Sequence, residues 1–330
     1  GAAGSGRPAY LAAAISMLAF LVRRFLTAVL SVLLASVVVF GALLAVPGDP
    51  ATVILGMNAS PAAREALRTQ LGLDRPPVER YVSWLGGVMR GDMGESLNYQ
   101  RPVAGLIGER LRVSVPLAVG AALVACLLAL PLGIFAALRR GTVWDPLVTS
   151  LSQLGAAIPS FWLGLIFILY FAVELRWLPA SGFVPLGEDP VRWARSLVLP
   201  VLALGLGQAA VMTRMTRAAM LEVLSQDFVR TARAKGVGQR GVVLKHALRN
   251  AMVTIVTILG ISLSNVFIGS IVIEQVFALP GLGRLALTAI GTRDFPLLQG
   301  EILLYAATIV GLGFLVDVSY GLLDPRIRYE

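Results

Sequence analysis

Val113–Leu138 reads VSVPLAVGAALVACLLALPLGIFAAL, an unbroken run without a charged side chain. At about 1.5 Å per helical residue, such a run crosses a hydrocarbon core of roughly 30 Å. Phe25–Val46, Pro146–Val173, Ser196–Thr213 and Asn250–Ile273 are also uncharged, and Ile302–Leu323 holds only Asp317. Ser196–Thr213 is the shortest and is expected to extend into its flanks. Charged residues make up 14% of the chain and mean hydropathy is +0.79, whereas soluble domains carry about 25% charged residues. The sequence therefore predicts an all-α polytopic membrane protein with six transmembrane helices.

Charge placement predicts the orientation. An even number of spans puts both termini on one side. That side collects fifteen basic residues against five acids, and the opposite side has thirteen of each. The positive-inside rule then places both termini in the cytoplasm, N-in and C-in. The net charge of +9 reflects topology and docking, and gives no reason to expect nucleic acid.

Eight of the basic residues crowd into one loop, 214–249: Arg214, Arg217, Arg230, Arg233, Lys235, Arg240, Lys245 and Arg249. Only Glu222 and Asp227 oppose them. Drawn as one helix over Leu221–Lys235, Leu221, Leu224, Phe228 and Ala232 share a face, with Glu222, Gln226, Arg230 and Arg233 opposite. Such a helix is roughly 22 Å long, and Gly236 is expected to end it. Taken alone, the loop reads either as a docking element for a cytoplasmic partner or as a surface helix held by anionic lipid.

The rest of the chain is less specific. Gly1–Ser16 is unlike the remainder of the sequence, and Met17 reads as a natural start, so residues 1–16 are expected to be a cloning remnant or an unusual extension before a domain spanning 17–330. Segment 47–112 is a long external connection. Within it, Ser60-Pro61 and Gly72 bracket a capped helix, and Tyr81–Met89 forms a second short piece. The single cysteine, Cys126, makes no intrachain disulfide. The single histidine, His246, has no cysteine cluster near it, so no metal site is expected.

Several segments together carry a resemblance. They are Pro47-Gly48-Asp49-Pro50, Leu71-Gly72-Leu73-Asp74-Arg75-Pro76 and Gly91-Asp92-Met93-Gly94-Glu95-Ser96, then Ile158-Pro159-Ser160-Phe161-Trp162. Next come Phe228-Val229-Arg230-Thr231-Ala232-Arg233-Ala234-Lys235-Gly236 and His246-Ala247-Leu248-Arg249-Asn250. Glu274-Gln275-Val276-Phe277 with Pro280-Gly281-Leu282-Gly283, and Leu323-Asp324-Pro325-Arg326-Ile327-Arg328, complete the set. In this order and spacing the chain resembles the permease subunits of bacterial ATP-binding-cassette importers. The likeness is to the peptide/dipeptide/nickel type, first-permease subtype, and it covers about Met17 to Glu330.

The resemblance implies the type I importer permease fold in the bacterial inner membrane. It also implies that the basic loop holds the coupling helix, with Leu224, Asp227, Phe228, Arg230, Thr231, Ala232, Arg233, Ala234, Lys235 and Gly236 as the contact to the ATPase. The general superfamily places Glu-Ala-Ala before that glycine; Arg230-Thr231-Ala232 stands there instead, which fits the peptide branch. The implied partners are a second homologous permease, two ATPase subunits and an extracytoplasmic solute-binding protein. No Gly-x-x-x-x-Gly-Lys-Ser/Thr occurs, so ATP and Mg are expected on the ATPase subunits and no cofactor or catalytic residue on this chain.

Polar residues in the spans suggest a path. Thr254, Ser262, Asn265 and Gly269 share a face by helical spacing, with Gln208 and Ser160 as further contributors. Glu274, Gln275 and Phe277 are the candidate outer gate. An ion-coupled carrier is the alternative, and Asp317 is its sole candidate ionisable group near the membrane interior. Asp317 lies near the inner end of the last span, where pairing with a basic residue is the expected role. The substrate is not encoded legibly: peptides, glutathione, nickel complexes and opines all fit the resemblance.

Overall fold

The computed structural model describes residues 6–45, 50–55, 59–70 and 72–323. The quoted stretches at 47–49, Leu71 and 324–328 lie outside the described residues, as do residues 1–5. The order of elements is α1 (Gly6–Ala45), α2 (Pro50–Leu55), α3 (Pro61–Gln70), α4 (Pro77–Val88), α5 (Val103–Leu138), α6 (Trp144–Ala157) and α7 (Ser160–Phe167). It continues with α8 (Pro190–Leu224), α9 (Asp227–Ala234), α10 (Gln239–Gly241), α11 (Arg249–Val276), α12 (Leu282–Thr292) and α13 (Phe295–Leu323). Two stretches wind as π-helix: Ile168–Glu174 continues α7, and Val242–Leu248 joins α10 to α11.

Among the described residues, five helical stretches are long and apolar enough to cross a membrane: Ala19–Ala45, Val103–Leu138, Pro190–Leu224, Gln239–Val276 and Phe295–Tyr320. The sixth expected span is not straight. Trp144–Ala157 and Ser160–Glu174 meet at 90°. The cause is local: Ile158 precedes Pro159 and takes an extended conformation (φ −82°, ψ 120°), as the proline ring demands of its predecessor. Pro116, Pro131 and Pro200 sit inside helices that continue through them. Apolar side chains on α1 face outward, with Phe25 57%, Leu34 58% and Val38 69% exposed, as a helix covered by lipid or by a partner requires.

The described residues fall into two compact units. One contains Pro116–Ala278 with parts of α1 and α13; the other contains Val29–Val115 and Leu279–Val310. In the first, α8 packs against α6, α7 and α11. Its core includes Met220, Val223, Val243, Ala247, Ala251 and Ile255. α5 reaches α8 at Gly133, where an added Cβ would lie 2.7 Å from both the Thr213 carbonyl oxygen and the Thr216 Cβ. Phe277 is buried beside Gly164. Arg24 and Asp317 pair within this unit, as the sequence predicts for Asp317.

The second unit is knitted by buried polar groups. Asp294 accepts from the Ser96 hydroxyl (2.5 Å) and the Asn98 amide (3.0 Å), fixing the Gly91–Ser96 turn to the start of α13. The Leu282 amide donates to the Ser114 hydroxyl at 2.8 Å. Phe40, Tyr81 and Trp84 cluster, and Tyr81 also meets the Ser36 hydroxyl. Ser60 accepts from the Ala63 amide (3.2 Å) and Gly72 turns left-handed (φ 64°), so α3 is capped where its sequence predicts. The second short piece starts earlier than expected, at Pro77, because proline suits a first helical position.

Gly133→Ala is expected to lower stability by about 1–3 kcal/mol through overpacking at a helix crossing. Gly108→Ala, with open space around its Cβ position, is expected to be neutral. Thermal unfolding of both variants in detergent measures the difference.

Candidate functional site

The basic loop is built differently from the single fifteen-residue helix that the periodicity suggests. α8 ends at Leu224, so Leu221 and Leu224 belong to that long helix and not to the loop helix. Ser225 turns its hydroxyl back onto the Glu222 carbonyl (2.7 Å), and Gln226 is extended (φ −75°, ψ 152°). Short polar side chains that bond their own backbone compete with helix continuation. Asp227 then opens α9, where an acid favours the positive helix start. α9 runs for 8 residues, about 12 Å.

The face that packs is also different. Val229 and Ala232 are buried against Val242 at the start of the π-helical stretch, with Leu224 partly buried beside them. Phe228, expected as a contact to the ATPase, is 38% exposed. Asp227, Arg230, Thr231, Arg233, Ala234 and Lys235 are exposed around it. Arg230 donates to Asp227 at 3.3 Å, and the Thr231 hydroxyl bonds the Asp227 carbonyl at 3.0 Å. The basic groups thus stand on the outer surface of a helix held from beneath by two small apolar side chains.

Gly236 ends α9 with φ 78°. Its amide donates to the Arg233 carbonyl (2.9 Å) and the Val237 amide to the Ala232 carbonyl (3.2 Å). This pair of bonds around a left-handed glycine satisfies the last carbonyls and reverses the chain. A β-branched side chain at that backbone conformation is strained.

The root of the segment carries an ion pair that sequence reasoning missed. Arg217, on α8, donates from Nε and Nη2 to the two carboxylate oxygens of Asp145 at 2.5 and 2.8 Å. Their side chains are 25% and 11% exposed. The contact joins α8 to the start of α6. The available signal was that Asp145 is the lone acid of the connection that carries Arg139 and Arg140.

The expected path residues are not brought onto one surface. Ser262 is buried and Asn265 is exposed on the same helix. Gly269 faces Leu204 across a close helix contact. Ser160 and Gln208 are half-buried, with Gly207 adjacent to Ser160. At the expected gate, Glu274 and Phe277 are fully buried, and Gln275 alone of the three is exposed.

Comparison with known proteins gives a consistent match. The family described as "Binding-protein-dependent transport system inner membrane component" matches residues 129–329, and "Binding-prot-dependent transport system membrane comp, N-term" matches residues 17–118. A peptide transport system permease protein of Brucella abortus (strain 2308) is 42% identical over 314 residues, covering 95% of this chain and 100% of the relative. The glutathione transport system permease protein GsiC of Escherichia coli (strain K12) is 40% identical over 314 residues with the same coverage, 95% and 100%. Among solved structures, the inward-facing MetNI methionine ABC transporter shares the fold, with TM-score 0.55 and 18% identity over 66% of this chain and 96% of that one.

Asp145→Ala is expected to cost about 3 kcal/mol, because it leaves Arg217 partly buried without its acid. A double-mutant cycle with Arg217→Ala should recover part of that loss as coupling of about 1–3 kcal/mol. Unfolding of the four proteins in detergent supplies the cycle.

Proposed function

We propose how this chain, which belongs to the family of binding-protein-dependent transport system inner membrane components, performs its part of transport. As a multi-pass permease of a bacterial ABC importer, it works with ATPase subunits that hydrolyse ATP and with a solute-binding protein. In our reading it pairs with a second homologous permease, and two ATPase subunits dock beneath the pair. Both termini and segment 214–249 lie in the cytoplasm, and segment 47–112 faces outward to one binding protein. The solutes are short peptides or related small molecules, as the names of the peptide and glutathione permeases suggest.

The observation that carries the coupling role is the two-sided character of α9. Its packed side is small and fixed to Val242; its outer side offers Phe228 among cations. An exposed aromatic beside arginines is the composition of interface anchors. Arg230 and Arg233 set register by polar contacts, and the turn at Gly236 returns the chain directly to the π-helical start of the next span. Motion of a docked ATPase therefore reaches α8 and α11 through a short, stiff element. Asn265 and Gln275, both exposed on α11, are the path and outer-gate residues we retain; Ser160, Gln208 and Gly269 are second contributors to the path.

Phe228→Asp is expected to weaken ATPase docking by roughly 2 kcal/mol or more, about thirtyfold, with membrane insertion intact. Gly236→Val should uncouple solute-stimulated ATP hydrolysis through a strain of about 1–3 kcal/mol at the turn. Reconstituted transporter, assayed for ATPase retention and stimulated hydrolysis, decides the matter. Normal transport by both variants would mean that the loop anchors to lipid.

A further inference from the structure

Contacts along α1 fix the depth of α4. A hydrocarbon core of roughly 30 Å takes about twenty helical residues, nearly the whole uncharged run Phe25–Val46. One edge of the core therefore falls close to Ala45, where α1 ends. Phe40 lies about 8 Å inside that end, and Ser36 about 14 Å inside it. Both touch α4, although the sequence places α4 in an external connection. The Tyr81 and Trp84 rings stand 5.4 and 6.3 Å from the Phe40 ring. The Tyr81 and Ser36 hydroxyls meet at 2.8 Å, and Ser36 is buried.

The surface of α4 is divided to match. At about 100° per residue, Val78, Val82, Leu85 and Met89 share one narrow face. Val78, Val82 and Met89 are 72%, 61% and 77% exposed. Tyr81 and Trp84 flank this face on the side of α1. Glu79, Ser83 and Arg90 lie beyond its other edge and are exposed. The apolar sector thus runs without a break from the aromatic contact to the open stripe, and the polar sector stands opposite. A helix lying in the membrane interface has this division, and Tyr and Trp gather at the same level.

We propose that α4 lies in the membrane interface, in the leaflet at the C-terminal end of α1, with Val78, Val82 and Met89 among acyl chains. Tyr81 and Trp84 set its depth through Phe40 and Ser36. Glu79, Ser83 and Arg90 face headgroups and water. Depth decides for lipid over a soluble partner: a helix whose tyrosine reaches Ser36 has its neighbouring face below the level of the aqueous phase. The inference goes beyond the coupling and path roles, and it holds whichever side of the membrane segment 47–112 faces.

The test uses the complete transporter in phosphatidylcholine nanodiscs, with Cys126→Ser in this chain and the other subunits free of cysteine. A nitroxide is attached singly to Val78→Cys, Glu79→Cys, Val82→Cys or Ser83→Cys, exposed positions that leave the packed face of α4 untouched. Power-saturation EPR reads collisions with oxygen, which concentrates in hydrocarbon, and with a water-soluble nickel chelate. The oxygen-to-nickel ratio at 78 and 82 should exceed that at 79 and 83 several-fold, and should persist when binding protein docks. Equal ratios on the two faces put α4 in water and overturn the proposal. Low collision with both reagents at 78 and 82 also overturns it. The cover is then a second permease if the loss is constant, and the binding protein if the loss appears only on docking.

Discussion

Every peptide group that enters hydrocarbon must find its hydrogen-bond partner within protein, since lipid offers none. This constraint shapes the chain at each level. It makes the spans helical and keeps α5 and α8 continuous through Pro116, Pro131 and Pro200. The helix is interrupted at Ile158-Pro159, between two pieces that both pack against α8. Lipid also provides no hydrophobic drive between helices, so close approach is what holds them. Gly133 against the Thr213 backbone is the clearest instance.

The same requirement governs the segment at the centre of our functional reading. A helix leaving the spans has ends to satisfy, and α9 does so with its own residues. Asp227 serves its start and the glycine-centred turn at Gly236 serves its end. Val229 and Ala232 commit the only buried face to Val242. Because those side chains are small, α9 sits close to the next helix and its larger residues point away. Arg217 and Asp145 tie the preceding helix to the bent pair. A push on α9 is thereby received by three helices.

Much of this was legible in the sequence because it is one-dimensional. Uncharged runs gave the spans, and charge imbalance around them gave an expected orientation. Ser60, Gly72 and Gly236 declared caps by residue type alone. What was missed needs the third dimension. The periodicity of Leu221, Leu224, Phe228 and Ala232 looks like one helix, yet Ser225 and Gln226 break it. Helical spacing placed Ser262 with Asn265, but neighbouring helices on one side buried the serine. Glu274 reads as a candidate outer-gate residue, and its enclosure depends on helices that no local pattern reveals. The partners of Asp145 and Asp294 lie 72 and 196–198 residues away, beyond any local pattern.

The central claim is that the outer face of α9 is the contact through which the ATPase moves this permease. The most direct measurement places a photo-crosslinking amino acid singly at Phe228, Val229, Arg230 and Ala232 in the assembled transporter. Crosslinks to the ATPase subunit from positions 228 and 230, with none from 229 and 232, are what this account predicts. Crosslinks to lipid alone from 228 and 230 would contradict it.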